Sequence, residues 1–148
     1  MMKNEFMRLA IKQAEIAATE GEVPVGAVIV KNGEIIATGR NNREQTKSAD
    51  GHAEMQAIKE ACKVLGTPFL DGCDIYVTLE PCSMCAGAIL QARIRKVVFG
   101  AYEDKSGAVG SVFNLFYDFV WPHKVLFEGG VLETECQKLM TDFFKEKR

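Results

Sequence analysis

The sequence predicts an α/β fold in which a mixed sheet of about five strands is flanked by helices. Three observations carry that expectation. Apolar residues recur at helical spacing in several segments, short runs rich in β-branched residues alternate with them, and turn residues separate the two kinds. Such alternation builds a layered sandwich rather than separate helical and strand regions. With 148 residues there is enough chain for one well-filled core, so a single domain spanning 1–148 is expected.

From the N-terminus, residues Asn4 to Glu20 read as an amphipathic helix. Met7, Ala10, Ile11, Ala14 and Ala18 form its stripe, and Gly21 stops it. Val25–Val30 and Glu34–Thr38 are strand-like and flank Asn32-Gly33, a pair whose tolerance of positive φ signals a hairpin. Gly39–Gly51 is polar and reads as a loop long enough to be functional. His52–Val64 returns to helical spacing. Asp74–Leu79 is an apolar strand, Pro81 opens a helix to about Ala92, and Lys96–Ala101 is a second buried strand. That strand–helix–strand unit is expected to be parallel. Ser111–Phe119 fits either a helix or irregular structure, Lys124–Phe127 a last strand, and Val131–Lys145 a closing helix.

Composition narrows the function classes. A hydrophobic fraction of 47% with 26% charged residues excludes a disordered chain. No run approaches the roughly 20 apolar residues of a membrane span, and no secretory signal is visible, so a cytoplasmic protein without a membrane partner is expected. The net charge of −2 argues against strong non-specific nucleic-acid binding. Local basic patches stay open at Arg93, Arg95 and Lys96, and at Lys138, Lys145, Lys147 and Arg148, although a lysine-rich last turn also suits the helix dipole. Five cysteines without an export signal point to a metal site plus buried thiols rather than disulfides. Cys62, Cys73 and Cys136 sit in apolar patterns and read as core.

His52, Cys82 and Cys85 are the residues with metal-ligand character. Cys82 and Cys85 form Pro-Cys-x-x-Cys at a strand-to-helix turn, where a two-residue gap brings both sulfurs to one ion and the helix N-terminus favours thiolates. Three protein ligands leave a tetrahedral zinc one open position, the catalytic arrangement. A closed structural site would need a fourth ligand, for which His123 is the candidate. Ligand softness favours zinc, although iron suits a similar site. Glu54, two residues after His52, suits a proton shuttle if the helix end faces the pocket. Cys-x-x-Cys alone also fits thioredoxin-like redox chemistry, which leaves His52-Ala53-Glu54 and Pro81 unexplained. The combined pattern of His-x-Glu and Pro-Cys-x-x-Cys is the signature of zinc-dependent nucleobase deaminases.

Beyond these motifs the chain resembles the bacterial tRNA adenosine deaminases of the cytidine-deaminase superfamily, enzymes that convert a wobble adenosine to inosine. The resemblance rests on Glu22–Val28, His52–Met55, Thr78–Ala88, Val97–Ala101 and Asp142–Phe144. It implies a three-layer α/β/α fold, one zinc per subunit held by His52, Cys82 and Cys85, and Glu54 as the catalytic acid/base. It implies that Asn41 hydrogen-bonds the flipped base, with Asn42 the competing candidate and a turn role the plain alternative. It further implies a homodimer with a tRNA anticodon stem-loop across the subunit boundary, within reach of Lys105, Phe143, Phe144 and Lys145. Phe143 and Phe144 equally fit core packing, and Lys105 a solvated loop.

Two positions depart from the family pattern. Asp50-Gly51 replaces the usual Thr-Ala, either as a helix cap with an eased turn or as a negative charge at the pocket rim. Pro122 stands before His123 where the family often has Asn. The leading expectation is hydrolytic deamination of adenosine in a tRNA anticodon. The alternative is the same zinc chemistry on a free purine-like or pterin-like base or nucleoside. A third class, a zinc module that binds RNA without catalysis, is disfavoured by the presence of Glu54.

Overall fold

The computed structural model describes residues 2–147. Helix α1 (Lys3–Thr19) leads into the hairpin of β1 (Gly26–Lys31) and β2 (Glu34–Arg40); next come short helix α2 (Arg43–Thr46) and α3 (Ala53–Leu65). Then follow β3 (Cys73–Leu79), α4 (Ser83–Gln91), β4 (Lys96–Ala101), β5 (Leu126–Glu128) and α5 (Glu133–Glu146). The strands form one five-stranded sheet in the order β2-β1-β3-β4-β5. β1 is antiparallel to both β2 and β3, whereas β3, β4 and β5 run parallel. The expected mixed sheet is therefore present, and α4 is the crossover between its two central parallel strands.

The period-two alternation of side chains sorts the sheet's residues between two helical layers. Ala27, Ile29, Ile75, Val77, Val97 and Phe99 pack towards α3 and α4, with Ala57 and Ile89 among their partners. Val28, Val30, Tyr76 and Val98 face the other way, onto Phe6, Met7 and Ala10 of α1 and Cys136 of α5. Strands buried on both faces read as continuous apolar runs, which is why β1, β3 and β4 were visible in sequence. Asn32 and Gly33 take positive φ of 52° and 78°, as the hairpin turn requires.

Four details differ from the sequence expectation. In α1 the buried stripe is Phe6, Met7, Ala10, Ala14 and Ala17, with Ile11 and Ala18 at its margins. β2 runs on to Arg40 because Gly39 and Arg40 still pair with Ala27 and Gly26, and the supposed loop then contains α2. α4 begins at Ser83 rather than Pro81, since Cys82 is an extended N-cap and the Pro81 carbonyl is engaged by the Ala108 N–H. Residues 111–119 take the irregular one of their two expected forms, folded around the Asn114 side chain, which accepts the Phe116 and Tyr117 N–H groups. The last strand is Leu126–Glu128, two residues later than expected at its start, and α5 starts at Glu133 after Leu132 in a left-handed conformation. Arg148 lies outside the described residues.

Candidate active site

The site forms where the starts of α3 and α4 meet. His52 is the N-cap of α3 and Cys82 the N-cap of α4; both are extended and neither side chain caps its own helix. Their side chains are thus free to turn towards each other, and Cys85 joins them from the first turn of α4. His52 Nδ1 lies 3.7 Å from Cys82 Sγ and 3.4 Å from Cys85 Sγ. The three donor atoms all fall within 4.8 Å of one another. A tetrahedral zinc with ordinary Zn–N and Zn–S lengths sets its N and S ligands about 3.6 Å apart, so the donor set fits that ion.

His123 does not complete the set. Its Nε2 lies 2.9 Å from the Ile94 carbonyl, at the other end of α4. Among the described residues the metal-ligand group is the three-donor one, which leaves room for a fourth, non-protein ligand. A hydrogen bond from Cys85 holds Cys82 down at about 3, with His52 adding to the effect, while the Cys85 thiol is pushed up by that same bond and by burial. His52 is raised, chiefly by its bond to Cys82.

Glu54 stands beside this cluster with only 4% of its surface exposed. Because His52 is an extended cap outside the helix, the i, i+2 divergence of helical side chains does not separate the two residues. Burial pushes the Glu54 carboxyl up to about 7, where it can both hold and release a proton at neutral pH. Cys62, Cys73 and Cys136 are free thiols away from the group, and burial raises each of them.

A cavity of about 860 Å³ opens over these residues. His52, Glu54 and Cys82 form part of its floor. Asn41, nearly buried, lines it together with Val23 and Val25, whereas Asn42 does not; its Oδ1 is buried behind Gly51 without a partner. The outer wall is made by Lys105, Ser106 and the end of α5, where Met140, Phe143, Phe144 and Lys147 reach the cavity. Lys145 is not part of that wall. Phe144 is 45% exposed, so it is not a core residue, and Lys147 sits 5.3 Å over the Phe143 ring.

The Asp50 carboxylate stays away from the cavity. It is bound by Lys59 at 2.9 Å and by the Ser48 hydroxyl, and it neither caps α3 nor charges the rim. Gly51 is there for space: a β-carbon would lie 2.5 Å from Arg43 Cα. The candidate basic patch is also neutralised. Arg93 pairs with Asp71, Arg95 with Asp74 and Lys96 with Glu128.

Two pocket residues were not singled out from sequence, Glu22 and Glu80. Both are almost fully buried carboxylates. Glu22 accepts the N–H groups of Glu44 and Gln45 at 3.0 and 2.9 Å and so fixes the start of α2, just after Asn41. The available signal was a glutamate shortly before a proline at the edge of an apolar run, in Glu22-Val-Pro and again in Leu79-Glu-Pro.

Comparison with known proteins agrees with this geometry. The family described as the cytidine and deoxycytidylate deaminase zinc-binding region matches residues 1–101. A tRNA-specific adenosine deaminase of Bacillus subtilis is 50% identical over 143 residues, covering 97% of this chain and 89% of its own. A structure solved in a study of A-to-I editing by tRNA:A34 deaminases superposes with a TM-score of 0.85 at 40% identity, covering 93% of this chain and 99% of the other. A Bacillus subtilis guanine deaminase gives 0.67 at 36% identity, covering 82% and 88%. The chain belongs to the zinc-binding cytidine and deoxycytidylate deaminase family.

Proposed function

We infer that this protein deaminates adenosine to inosine at the wobble position of a tRNA anticodon. One observation carries the reading beyond the family: the cavity is walled on its outer side by an exposed phenylalanine and two lysines, Phe144, Lys105 and Lys147. A site for a free base needs enclosure, whereas an extruded nucleotide needs its neighbours and phosphates received at the mouth. The near full-length likeness to a tRNA-specific enzyme supports the same substrate.

In this reading His52, Cys82 and Cys85 hold zinc. Zinc bound there supplies Lewis acidity, which activates water at neutral pH. The Asn41 amide lines the cavity and can donate and accept along one edge of the base. Glu54 takes a proton from the attacking water and delivers it to the departing amine, so that water replaces the amino group at C6 and ammonia leaves. Phe143 and Phe144 offer stacking surface and Lys105 a phosphate contact, while Lys147 takes the place expected of Lys145.

The enzyme is further proposed to work as a homodimer in the cytoplasm, where its substrate resides. Val112, Tyr117, Phe119, Val120 and Trp121 expose an apolar surface along one segment, a feature of association sites. No helix of the described residues is long and apolar enough to cross a membrane.

The deciding experiment is product analysis after incubation with an adenosine-containing anticodon stem-loop, in parallel with free adenosine, adenine and guanine. Inosine in the stem-loop alone is expected. Turnover of a free base or nucleoside without turnover of RNA would move the function to small-molecule metabolism.

A further inference from the structure

We infer that Glu80 is a positioning residue of the substrate pocket, its buried carboxylate holding the 103–111 loop against the metal-binding turn and so fixing Lys105 and Ser106 at the mouth. The inference rests on the deaminase reading given above and adds to it a residue outside the reacting groups.

The observations converge on one side chain. Glu80 is 2% exposed and directly precedes Pro81-Cys82. Among the described ion pairs it has no cation. Instead it accepts the backbone N–H groups of Glu103 at 3.0 Å, Val109 at 2.9 Å and Ser111 at 3.0 Å, together with the Ser111 hydroxyl. Pro81 adds its carbonyl to the Ala108 N–H at 2.9 Å. Two adjacent residues thus tie the loop to the body of the fold, and the residue after them is a candidate zinc ligand. Gly107 completes the fit, because a β-carbon there would collide with the Glu80 carboxyl.

The chemistry of the four donors explains why a carboxylate stands here. An ionised carboxylate only accepts, and its two oxygens offer about four lone-pair sites. A glutamine would turn an NH₂ group towards N–H donors that have no other partner. Burying a charge without a cation is unfavourable unless hydrogen bonds replace the lost water. An apolar side chain would suffice merely to fill the space; the full set of donors instead fixes the loop's position. Apart from one bridge between Val109 and Asn114, that loop has no regular structure to hold it.

The test uses Glu80→Gln in the full-length, zinc-loaded enzyme, with the anticodon stem-loop as substrate. The expected result is a KM raised about tenfold or more, kcat within about threefold of wild type, and unchanged zinc content. An unchanged KM would overturn the inference, as would a loss confined to kcat, which would place Glu80 at the reacting groups. If Glu80→Gln does not fold, Ser111→Ala removes one donor from the loop side and is expected to raise KM about threefold with kcat kept; no rise overturns the proposal. A readout free of substrate separates this proposal from the function. In Ser111→Ala or Glu80→Gln the amides of Glu103 and Val109 are expected to exchange with deuterium at least about tenfold faster, and unchanged exchange overturns the proposal. Wild-type enzyme that leaves the stem-loop unmodified would overturn the tRNA reading alone.

Discussion

At the scale of single residues, the proposed mechanism puts metal binding and proton transfer on different side chains, so each can be removed independently. Glu54 lies against the ligand cluster without belonging to it. Glu54→Gln keeps the shape and deletes the proposed proton carrier, so kcat should fall by about 10²–10⁴-fold while zinc content, measured by metal analysis, stays at one per chain. Turnover near the wild-type rate in that variant would end the assignment. Cys82→Ser acts on the other half. It should lose zinc and lower the unfolding midpoint, because metal binding and folding are coupled. Cys62→Ala is the control: its half-exposed thiol lies outside the group, and zinc content should not change.

At the scale of elements, the two helix starts matter more than the helices. Cys82 and His52 are available because both occupy extended caps, and each cap is held by what packs behind it. Behind His52 this means Gly51 against Arg43 of α2. Gly51→Ala should force α2 outwards and cost about 1–3 kcal/mol, read from the denaturant midpoint. An unchanged midpoint would show that α2 yields freely, and that the glycine found here in place of alanine carries no packing role. The sequence made most of this level legible. β1, β3 and β4 are apolar on both faces, Asn32-Gly33 has one common use, and His-x-Glu with Pro-Cys-x-x-Cys specifies ligand types and spacing at once. What escaped was non-local. A four-residue helix has no apolar period to reveal it, and the ends of β2 are set by pairing with β1. Glu22 and Glu80 look like surface glutamates until the loops that donate to them are in place.

At the scale of the whole molecule, a chain of net charge −2 must still receive a polyanion. Pairing of its charges shows how. Arg93, Arg95 and Lys96, clustered within one short stretch, are each matched by an acidic partner. Arg43, Lys105 and Lys147, scattered through the sequence, meet around the cavity, and none is in an ion pair among the described residues. Three free cations at one mouth predict binding with a modest dependence on salt, and for single-stranded phosphates the slope of log K against log salt should be about −2. Lys105→Ala should flatten that slope by about 0.7 and weaken binding at low salt, whereas Arg95→Ala should leave it unchanged. Fluorescence titration of a labelled stem-loop at several salt concentrations makes the measurement. A slope as steep in Lys105→Ala as in wild type would remove Lys105 from the phosphate contacts, and a flattened slope in Arg95→Ala would move the RNA to the opposite end of β4.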